Sequence, residues 1–245
     1  MIQVTSPSSI NSLSQSPHAK QAESCSQGGR TVKKFLIYAS TLALSDLDCE
    51  LNKLWASFLQ HWGHTPNISQ HWWNPVIQAS NGAIFYLGAL PITKKVFGKI
   101  VRNDADEIAK LGVKAVLSMT DLFENNYEGP YISSVVPGEW KKRNIVHMQI
   151  ETPDFCAIAL DKINEGVEFI HTELSQNHSV YGHCKAGRGR SAMVALGYLI
   201  KYHRMKAEQA LCYLKKMRPQ VHVAGQQWKA VKLYEENIKK GLTEF

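Results

Sequence analysis

The chain has the size and composition of a globular protein: 245 residues, of which 44% are hydrophobic and 20% are charged. Its formal net charge of +7 favours anionic partners, which include nucleic acid, acidic membrane surfaces and phosphorylated substrates. The five cysteines are scattered and include no C-x-x-C pair. This spacing argues against a disulfide framework and a zinc site, and it indicates free thiols in a reducing compartment.

Two segments are predicted before residue 71. Residues 1–29 are rich in Ser and Gln and contain one acidic residue, Glu23, so this segment is predicted to be disordered. Residues 30–70 are predicted to form a helical extension, in which the ten mostly apolar residues 35–44 follow three cations. Ten residues are too few to cross a bilayer. The alternatives are a helix packed on the domain, a targeting sequence (a mitochondrial one included) or a membrane contact.

A metal site is not expected near the end of this extension. Three histidines lie there close to tryptophans, but no neighbouring carboxylate or thiolate completes a ligand set: they are His61, His64 and His71.

Strands and helices alternate from residue 83 onward. The predicted strands are 83–90, 113–119, 145–150 and 179–184, and the predicted helices are 102–112, 157–174, 191–202, 206–217 and 226–240. A polar loop is predicted between residue 119 and residue 144. The alternation predicts an α/β fold with a mostly parallel central sheet flanked by helices on both faces.

The segment HCKAGRGRS, residues 183–191, joins the last predicted strand to a helix. Ligands of such folds bind beyond the carboxyl ends of the strands. Small residues let this loop curl so that its N–H groups and the following helix N-terminus face an anion. The same positive surroundings lower the pKa of a cysteine, so Cys184 is predicted to be a thiolate nucleophile. The ordinary alternative for a lone cysteine at a strand end is an inert core thiol.

The spacing of Cys184, Arg190 and Ser191 favours phosphate chemistry. The guanidinium of Arg190 can hold two phosphate oxygens, and the hydroxyl of Ser191 can donate a hydrogen bond to the sulfur and ease its departure. The nucleotide-binding pattern G-x-x-x-x-G-K-[ST] is absent, so an ATP site is not predicted.

The pattern HC-x5-RS resembles the cysteine-dependent protein tyrosine and dual-specificity phosphatases. Over residues 72–237, the segments WWN, LGALP, GYLIKY, MRPQV and QQWKAV resemble the PTP-like lipid phosphatases typified by the mitochondrial phosphatidylglycerophosphate phosphatase. The resemblance implies a dual-specificity phosphatase fold over residues 71–241, with the preceding residues as an extension.

The resemblance also implies a two-step mechanism, in which an aspartic acid protonates the leaving oxygen and then activates a water. In IETPDFCAI, Asp154 stands at the expected distance before Cys184. Its alternative role is an N-cap of the following helix. Asp121 is the second candidate for the acid, and Asp161 is predicted to lie inside a helix.

Further residues have supporting or binding roles in this interpretation. Gln226 or Gln227 is expected to position the water, and His183 is expected to hydrogen-bond the loop. The expected phosphate-binding residues are Lys185, Ala186, Gly187, Arg188, Gly189 and Arg190.

Two of these residues, Lys185 and Arg188, add cations to the loop, which is similar to the CKAGKGR of a phosphoinositide 3-phosphatase. They favour a phospholipid headgroup, because it carries several negative charges. Alternatively, the two cations face solvent or neutralise nearby carboxylates. The expected partners are therefore a phospholipid headgroup or a phosphoprotein, and an anionic membrane surface, without nucleic acid and without a cofactor. The expected function is that of a phosphatase that hydrolyses a phosphomonoester on a phospholipid headgroup, with Cys184 forming a phosphocysteine intermediate. The alternative functions are a dual-specificity protein phosphatase and a phosphate-binding pseudoenzyme.

Overall fold

The computed structural model describes residues 72–241. The predictions for residues 1–29 and 30–70 lie outside the described residues. The strands are β1 (Trp73–Gln78), β2 (Ile84–Gly88), β3 (Ile92–Val96), β4 (Lys99–Asn103), β5 (Val113–Ser118), β6 (Ile132–Ser134), β7 (Val146–Gln149) and β8 (Ser179–His183). The helices are α1 (Asp104–Lys110), α2 (Leu122–Asn125), α3 (Pro137–Lys142), α4 (Leu160–Ser175), α5 (Arg190–His203), α6 (Ala207–Met217) and α7 (Gln226–Lys239).

A five-stranded sheet with the order β1-β2-β8-β5-β7 forms the centre of the described region. Strands β2, β8, β5 and β7 are parallel to their neighbours, and β1 pairs with β2 in the antiparallel direction. The sequence did not predict β1, which contains Pro75. The proline is tolerated because β1 is an edge strand whose register shifts next to it.

Both faces of this sheet are covered. On one face, Phe85 and Leu87 belong to a buried cluster shared with residues of α4, α5, α6 and α7. On the other face, the intervening Tyr86 packs in a second cluster with residues of α1 and α3. The predicted α/β fold is therefore confirmed. Helices α4 and α5 pack closely at Gly197 of α5, where an added Cβ would lie 2.9 Å from Cγ2 of Ile163 on α4.

A second, antiparallel sheet has the order β4-β3-β6. The sequence did not predict it, and the predicted helix 102–112 is wrong at its start because residues 102 and 103 end β4. The helix begins at Asp104, where the side chain of Asn103 caps it by accepting from the N–H of Ala105, and it ends at Lys110, two residues earlier than predicted. The predicted polar loop is also wrong in part, since it contains α2, β6 and α3.

None of the helices in residues 72–241 is long and apolar enough to cross a membrane. Cys184 and Cys212 are free thiols.

Candidate active site

The loop from Cys184 to Gly189 follows β8, the middle strand of the central sheet. It lies at the edge of the sheet where the parallel strands have their carboxyl ends. Strand β8 is flanked by β2 and β5, and its last residue, His183, is level with Gly88 and Ser118. The next residue is Cys184, and α5 begins at Arg190. The structure therefore puts the predicted motif on a strand, a loop and a helix, at the edge where ligands of parallel sheets bind.

Glycine is required at the tightest point of this loop. Gly187 has φ +64°, and an added Cβ would lie 2.2 Å from the carbonyl oxygen of Gly88. The loop is therefore pressed against the end of β2, where the N–H of Leu90 donates to the carbonyl of Lys185 over 3.1 Å.

The thiol of Cys184 is buried and is surrounded by hydrogen-bond donors. Burial alone raises its pKa. The charge of Arg190, the hydroxyl of Ser191 and the backbone N–H groups of Ser191 and Arg188 act in the opposite direction, and the pKa is lowered overall. The Ser191 Oγ lies 3.4 Å from the sulfur, to which its hydroxyl donates. The hydroxyl and these backbone N–H groups therefore all favour the thiolate form of Cys184.

Arg190 is fully buried, and acceptors fix its guanidinium. One nitrogen, Nη1, donates to Glu124 Oε2 over 2.7 Å and to the carbonyl of Thr152 over 2.8 Å. The other, Nη2, lies 2.9 Å from Asp154 Oδ1. Burial opposes the charge of Arg190, but Glu124, Asp154 and Cys184 raise its pKa well above the ordinary value, so Arg190 stays charged.

Glu124 is a site residue that the sequence did not predict. It stands 66 positions before Arg190, on α2, and is itself buried. Burial raises the pKa of its carboxyl, while the charge and the hydrogen bonds of Arg190 oppose this. Its only signal was an acidic residue shortly after the end of a strand, a feature too common to be distinctive.

The structure separates the three aspartates that were considered for the acid. Asp154 is the one that reaches the loop, with Oδ2 lying 3.5 Å from Lys185 Nζ. It is not the cap of α4, whose N-cap is Ala159. Asp121 instead caps α2, where its side chain accepts from the N–H of Glu124 over 2.7 Å. Asp161 lies in the first turn of α4, as predicted.

The two additional cations of the loop have contacts within the protein. Lys185 Nζ lies 3.8 Å from Glu124 Oε1 as well as near Asp154, which matches the alternative that it neutralises carboxylates. The Nε of Arg188 donates to the carbonyl of Gln220 over 3.0 Å. Both side chains are only partly buried.

The structure distinguishes the two glutamines that begin α7. Gln226 is exposed, whereas Gln227 is buried and donates to the carbonyl of Cys156 over 3.0 Å. Its Oε1 would lie 2.7 Å from a Cβ added to Gly189. Gln227 is therefore the glutamine that borders the loop and the segment after Asp154.

Behind the loop, His183 takes part in a chain of hydrogen bonds. Its Nδ1 lies 3.2 Å from the carbonyl of Cys184, which can only accept, so Nδ1 bears the proton. Its Nε2 therefore accepts from the hydroxyl of Ser118 over 2.7 Å, and the Ser118 oxygen accepts from Nε2 of His147 over 2.8 Å. Burial lowers the pKa of His183 to about 3, so the ring is neutral.

Arg218 is a second buried arginine, and it lies on the side of the loop that presents carbonyl groups. Its Nε donates to the carbonyl of Gly187 over 2.8 Å, and Nη2 donates to that of Ala186 over 3.3 Å. Its Nη1 donates to Asn74 Oδ1 on β1 over 2.7 Å. Burial lowers the pKa of Arg218 to about 10. Asn74 and Arg218 belong to the segments WWN and MRPQV, which the family resemblance included without assigning a role to either residue.

Comparisons with known proteins agree with this architecture. The family model described as "Dual specificity phosphatase, catalytic domain" matches residues 97–237. Phosphatidylglycerophosphate phosphatase PTPMT1 of Arabidopsis thaliana is 34% identical over 164 residues, covering 66% of this chain and 42% of the relative. Phosphatidylglycerophosphatase and protein-tyrosine phosphatase 1 of Homo sapiens is 30% identical over 159 residues, covering 64% of this chain and 73% of the relative. The match thus spans less than half of the length of the Arabidopsis relative.

A solved structure supports the same fold. The crystal structure of PTPMT1 in complex with PI(5)P has a TM-score of 0.59 at 24% sequence identity, and the match covers 70% of this chain and 99% of that chain. With a family match over residues 97–237 and a strand–loop–helix that holds Cys184 beside a fixed Arg190, the chain belongs to the dual-specificity phosphatase catalytic-domain family.

Proposed function

We propose that the protein is a cysteine-dependent phosphatase that hydrolyses a phosphomonoester on a phospholipid headgroup. The observation that supports the chemistry best is the buried thiol of Cys184, whose pKa is lowered by Arg190, Ser191 and backbone N–H groups. A cysteine whose thiolate is favoured by hydrogen-bond donors and a fixed cation supports the role of a nucleophile better than that of an inert core thiol.

In the proposed first step, the Cys184 thiolate attacks phosphorus and forms an S–P bond while the P–O bond to the leaving alcohol breaks. Asp154, in its acid form, gives its proton to the leaving oxygen. The charge that develops on the phosphoryl oxygens is stabilised by the loop N–H groups and by Arg190, which Glu124 and the Thr152 carbonyl hold in place.

In the second step, water attacks phosphorus, Asp154 accepts its proton, and the S–P bond breaks to release phosphate and the thiolate. The hydroxyl of Ser191 stabilises the departing sulfur through the contact at 3.4 Å. Gln227, at the rim of the loop, is proposed to orient the water through its Oε1.

Asp154 also has a part in binding. Its carboxylate now lies 2.9 Å from Arg190 Nη2 and 3.5 Å from Lys185 Nζ. A phosphate that binds Arg190 with two oxygens would take the place of this carboxylate. The displaced Asp154 would then be able to face the leaving group.

The choice of a lipid substrate is supported by the names of the relatives and by the loop cations. The Arabidopsis and human relatives are named as phosphatases of phosphatidylglycerophosphate, and the PTPMT1 crystal structure contains PI(5)P. Lys185 and Arg188 add positive charge beyond Arg190 within the loop. A basic protein is also attracted to anionic membranes, which we propose as its working surface.

Phosphate release tests the proposal directly. Purified protein is assayed with phosphatidylglycerophosphate, PI(5)P, a phosphotyrosine peptide and an aryl phosphate, with Cys184→Ser as the inactive reference. We expect lipid to be hydrolysed with the highest kcat/KM. Lys185→Gln should lower lipid hydrolysis roughly tenfold more than aryl phosphate hydrolysis, because only the lipid presents additional negative charge.

The matched control is Lys114→Gln, which makes the same charge change at the second residue of β5, near the amino end of that strand and so at the opposite edge of the sheet. It should leave both rates unchanged. A preference for the phosphopeptide would make the protein a dual-specificity protein phosphatase. Absence of phosphate release from every substrate would make it a phosphate-binding pseudoenzyme.

A further inference from the structure

The hairpin of β3 and β4 ends in an exposed aromatic residue. Val96 pairs with Lys99, so the turn consists of two residues, Phe97 and Gly98. Both have positive φ, +49° and +74°, and the side chain of Phe97 is 98% exposed. The turn therefore presents a phenyl ring to solvent at the end of the hairpin.

Neither folding nor catalysis explains this phenylalanine. A two-residue turn with positive φ at both positions favours Asn, Asp or Gly at the first position. A bulky residue is disfavoured in that conformation because its Cβ crowds the backbone. Exposure of the ring to water adds to this disadvantage, so the residue is not selected by local stability.

The surroundings of Phe97 are apolar and positively charged. Three more apolar side chains of the hairpin are exposed: Val96 at 37%, Ile100 at 57% and Val101 at 58%. Lys95 and Lys99 are exposed beside them, and residues 92–103 contain no acidic residue. An apolar tip flanked by cations is the pattern of a segment that enters the surface of an anionic bilayer.

The base of the hairpin adjoins the catalytic loop. Strand β3 starts two residues after Leu90, whose N–H donates to the carbonyl of Lys185. Strand β6, which pairs with β3, contains Ser134, whose Oγ donates to the carbonyl of Glu124 over 2.6 Å. Two hydrogen bonds thus connect the base of the hairpin to Lys185 and Glu124.

We propose that the β3–β4 hairpin docks the protein on anionic lipid bilayers, with Phe97 at the boundary of the acyl chains and Lys95 and Lys99 among the headgroups. The inference deepens the proposed function, on whose membrane substrate it rests, by naming the segment that meets the membrane. Docking through this hairpin holds the catalytic loop near lipid headgroups.

Vesicle co-sedimentation tests the docking. The full chain is mixed with vesicles of phosphatidylcholine alone or with added phosphatidylserine, which offers no phosphomonoester to the catalytic loop. We expect binding only to the vesicles with phosphatidylserine, and less of it at higher salt. Phe97→Asn should weaken this binding about tenfold or more, since the contribution of a buried aromatic ring is lost. Asn suits the turn, so this variant keeps the fold.

A charge variant, Lys95→Gln with Lys99→Gln, should weaken binding to anionic vesicles about tenfold and reduce its salt dependence. The matched controls are Leu233→Gln, which removes an exposed apolar side chain of α7, and Lys114→Gln with Lys216→Gln, which removes two exposed lysines elsewhere. Neither control should alter vesicle binding, and all variants should hydrolyse a soluble aryl phosphate at the wild-type rate.

Three outcomes would overturn the docking. The first is vesicle binding that Phe97→Asn and the charge variant leave unchanged. The second is equal weakening by the controls. The third is self-association in sedimentation equilibrium that Phe97→Asn abolishes while vesicle binding is absent, which would make the hairpin an interface between copies of the chain.

The docking and the proposed function fail separately. If vesicles bind as expected but phosphatidylglycerophosphate and PI(5)P are not hydrolysed, the substrate proposal is wrong and the docking holds. If these lipids are hydrolysed in detergent and the hairpin variants bind vesicles like the wild type, the substrate proposal holds and the docking is wrong.

Discussion

At Cys184, two opposing effects act on one sulfur atom. Burial disfavours the thiolate, whereas Arg190, Ser191 and two backbone N–H groups favour it, and the second effect is larger. Each of these donors is also a group that would bind phosphate or the departing sulfur. In the proposed mechanism, the same residues activate the nucleophile and bind its substrate, so we expect a substitution among them to change both properties.

Ser191→Ala removes the hydroxyl that donates to the sulfur and should raise the pKa of Cys184, because a donor to the thiolate favours the charged form. The measurement is the pH dependence of Cys184 alkylation by iodoacetate, followed by mass spectrometry of the peptide. In the wild type, alkylation should begin at lower pH than for an ordinary thiol, and in the variant its midpoint should move upward. An unchanged midpoint would remove Ser191 from thiolate stabilisation.

Asp154→Asn should slow the hydrolysis of alkyl phosphates about a hundredfold or more, because an alkoxide needs a proton as it departs. Nitrophenyl phosphate should be affected far less, since nitrophenolate leaves readily without a proton. The check is the ratio of the two rates in the variant and in the wild type. Asp121→Asn serves as the control, because Asp121 caps α2, and a larger effect there would move the acid to Asp121.

At the scale of elements, the short helix α2 has a function beyond its four residues. Asp121 and Glu124 form a capping box, in which each side chain contacts the backbone N–H of the other residue. The box fixes the backbone of Glu124, and its carboxylate fixes Arg190. This four-residue helix thus fixes the orientation of the buried guanidinium of Arg190.

Glu124→Ala should lower the free energy of unfolding by about 3 kcal/mol or more, because it leaves the charge of Arg190 buried without its main partner. It should also lower kcat, since the guanidinium is no longer held. The control is Glu139→Ala, which removes a partly exposed carboxylate paired with Lys142 and Arg143 and should cost about 1 kcal/mol or less. Urea unfolding measures both changes, and equal losses would refute a special role for Glu124.

At the scale of the whole molecule, the buried His183 and the half-buried His147 link stability to pH. His183 is neutral in the folded protein, with its pKa lowered to about 3, and burial also lowers the pKa of His147. In the unfolded chain, histidine titrates near its ordinary value of about 6.5. Between about pH 3 and pH 6.5 the unfolded state binds more protons than the folded state, so the free energy of unfolding falls as the pH falls. The contribution of the neutral histidines to stability is fully present above pH of about 6.5.

His183→Gln should therefore reduce the loss of stability between about pH 6 and pH 4, by up to about 1.4 kcal/mol per pH unit for the one proton removed. Its stability near neutral pH falls as well, because the packing around Ser118 changes, so the slope and not the absolute value is compared. Urea unfolding across this pH range gives the slope. A variant slope equal to that of the wild type would show that His183 does not account for the acid sensitivity.

The parts of the fold that the sequence predicted are those with a local signal. The parallel strands β2, β5, β7 and β8 and the helices α4 to α7 are rich in apolar residues, and the loop at Cys184 has a dense motif, so each was predicted within a few residues. The β3–β4 hairpin was missed because its exposed strands are rich in lysine and lack a polar–apolar alternation. Glu124 and Arg218 were missed as site residues because their partners are distant in sequence, at Arg190 and at the loop carbonyls.

Arg218 has a consequence for the thermodynamics of ligand binding. A peptide group points its N–H and its C=O in opposite directions. Because Arg218 donates to the carbonyls of Ala186 and Gly187 on one side of the loop, the N–H groups of these peptides are directed toward the other side. The conformational entropy of the loop is therefore lost when the chain folds and not when a phosphate arrives. Phosphate should bind an already ordered loop, with little change in backbone order, and the cost of that order appears in the stability of the apoprotein.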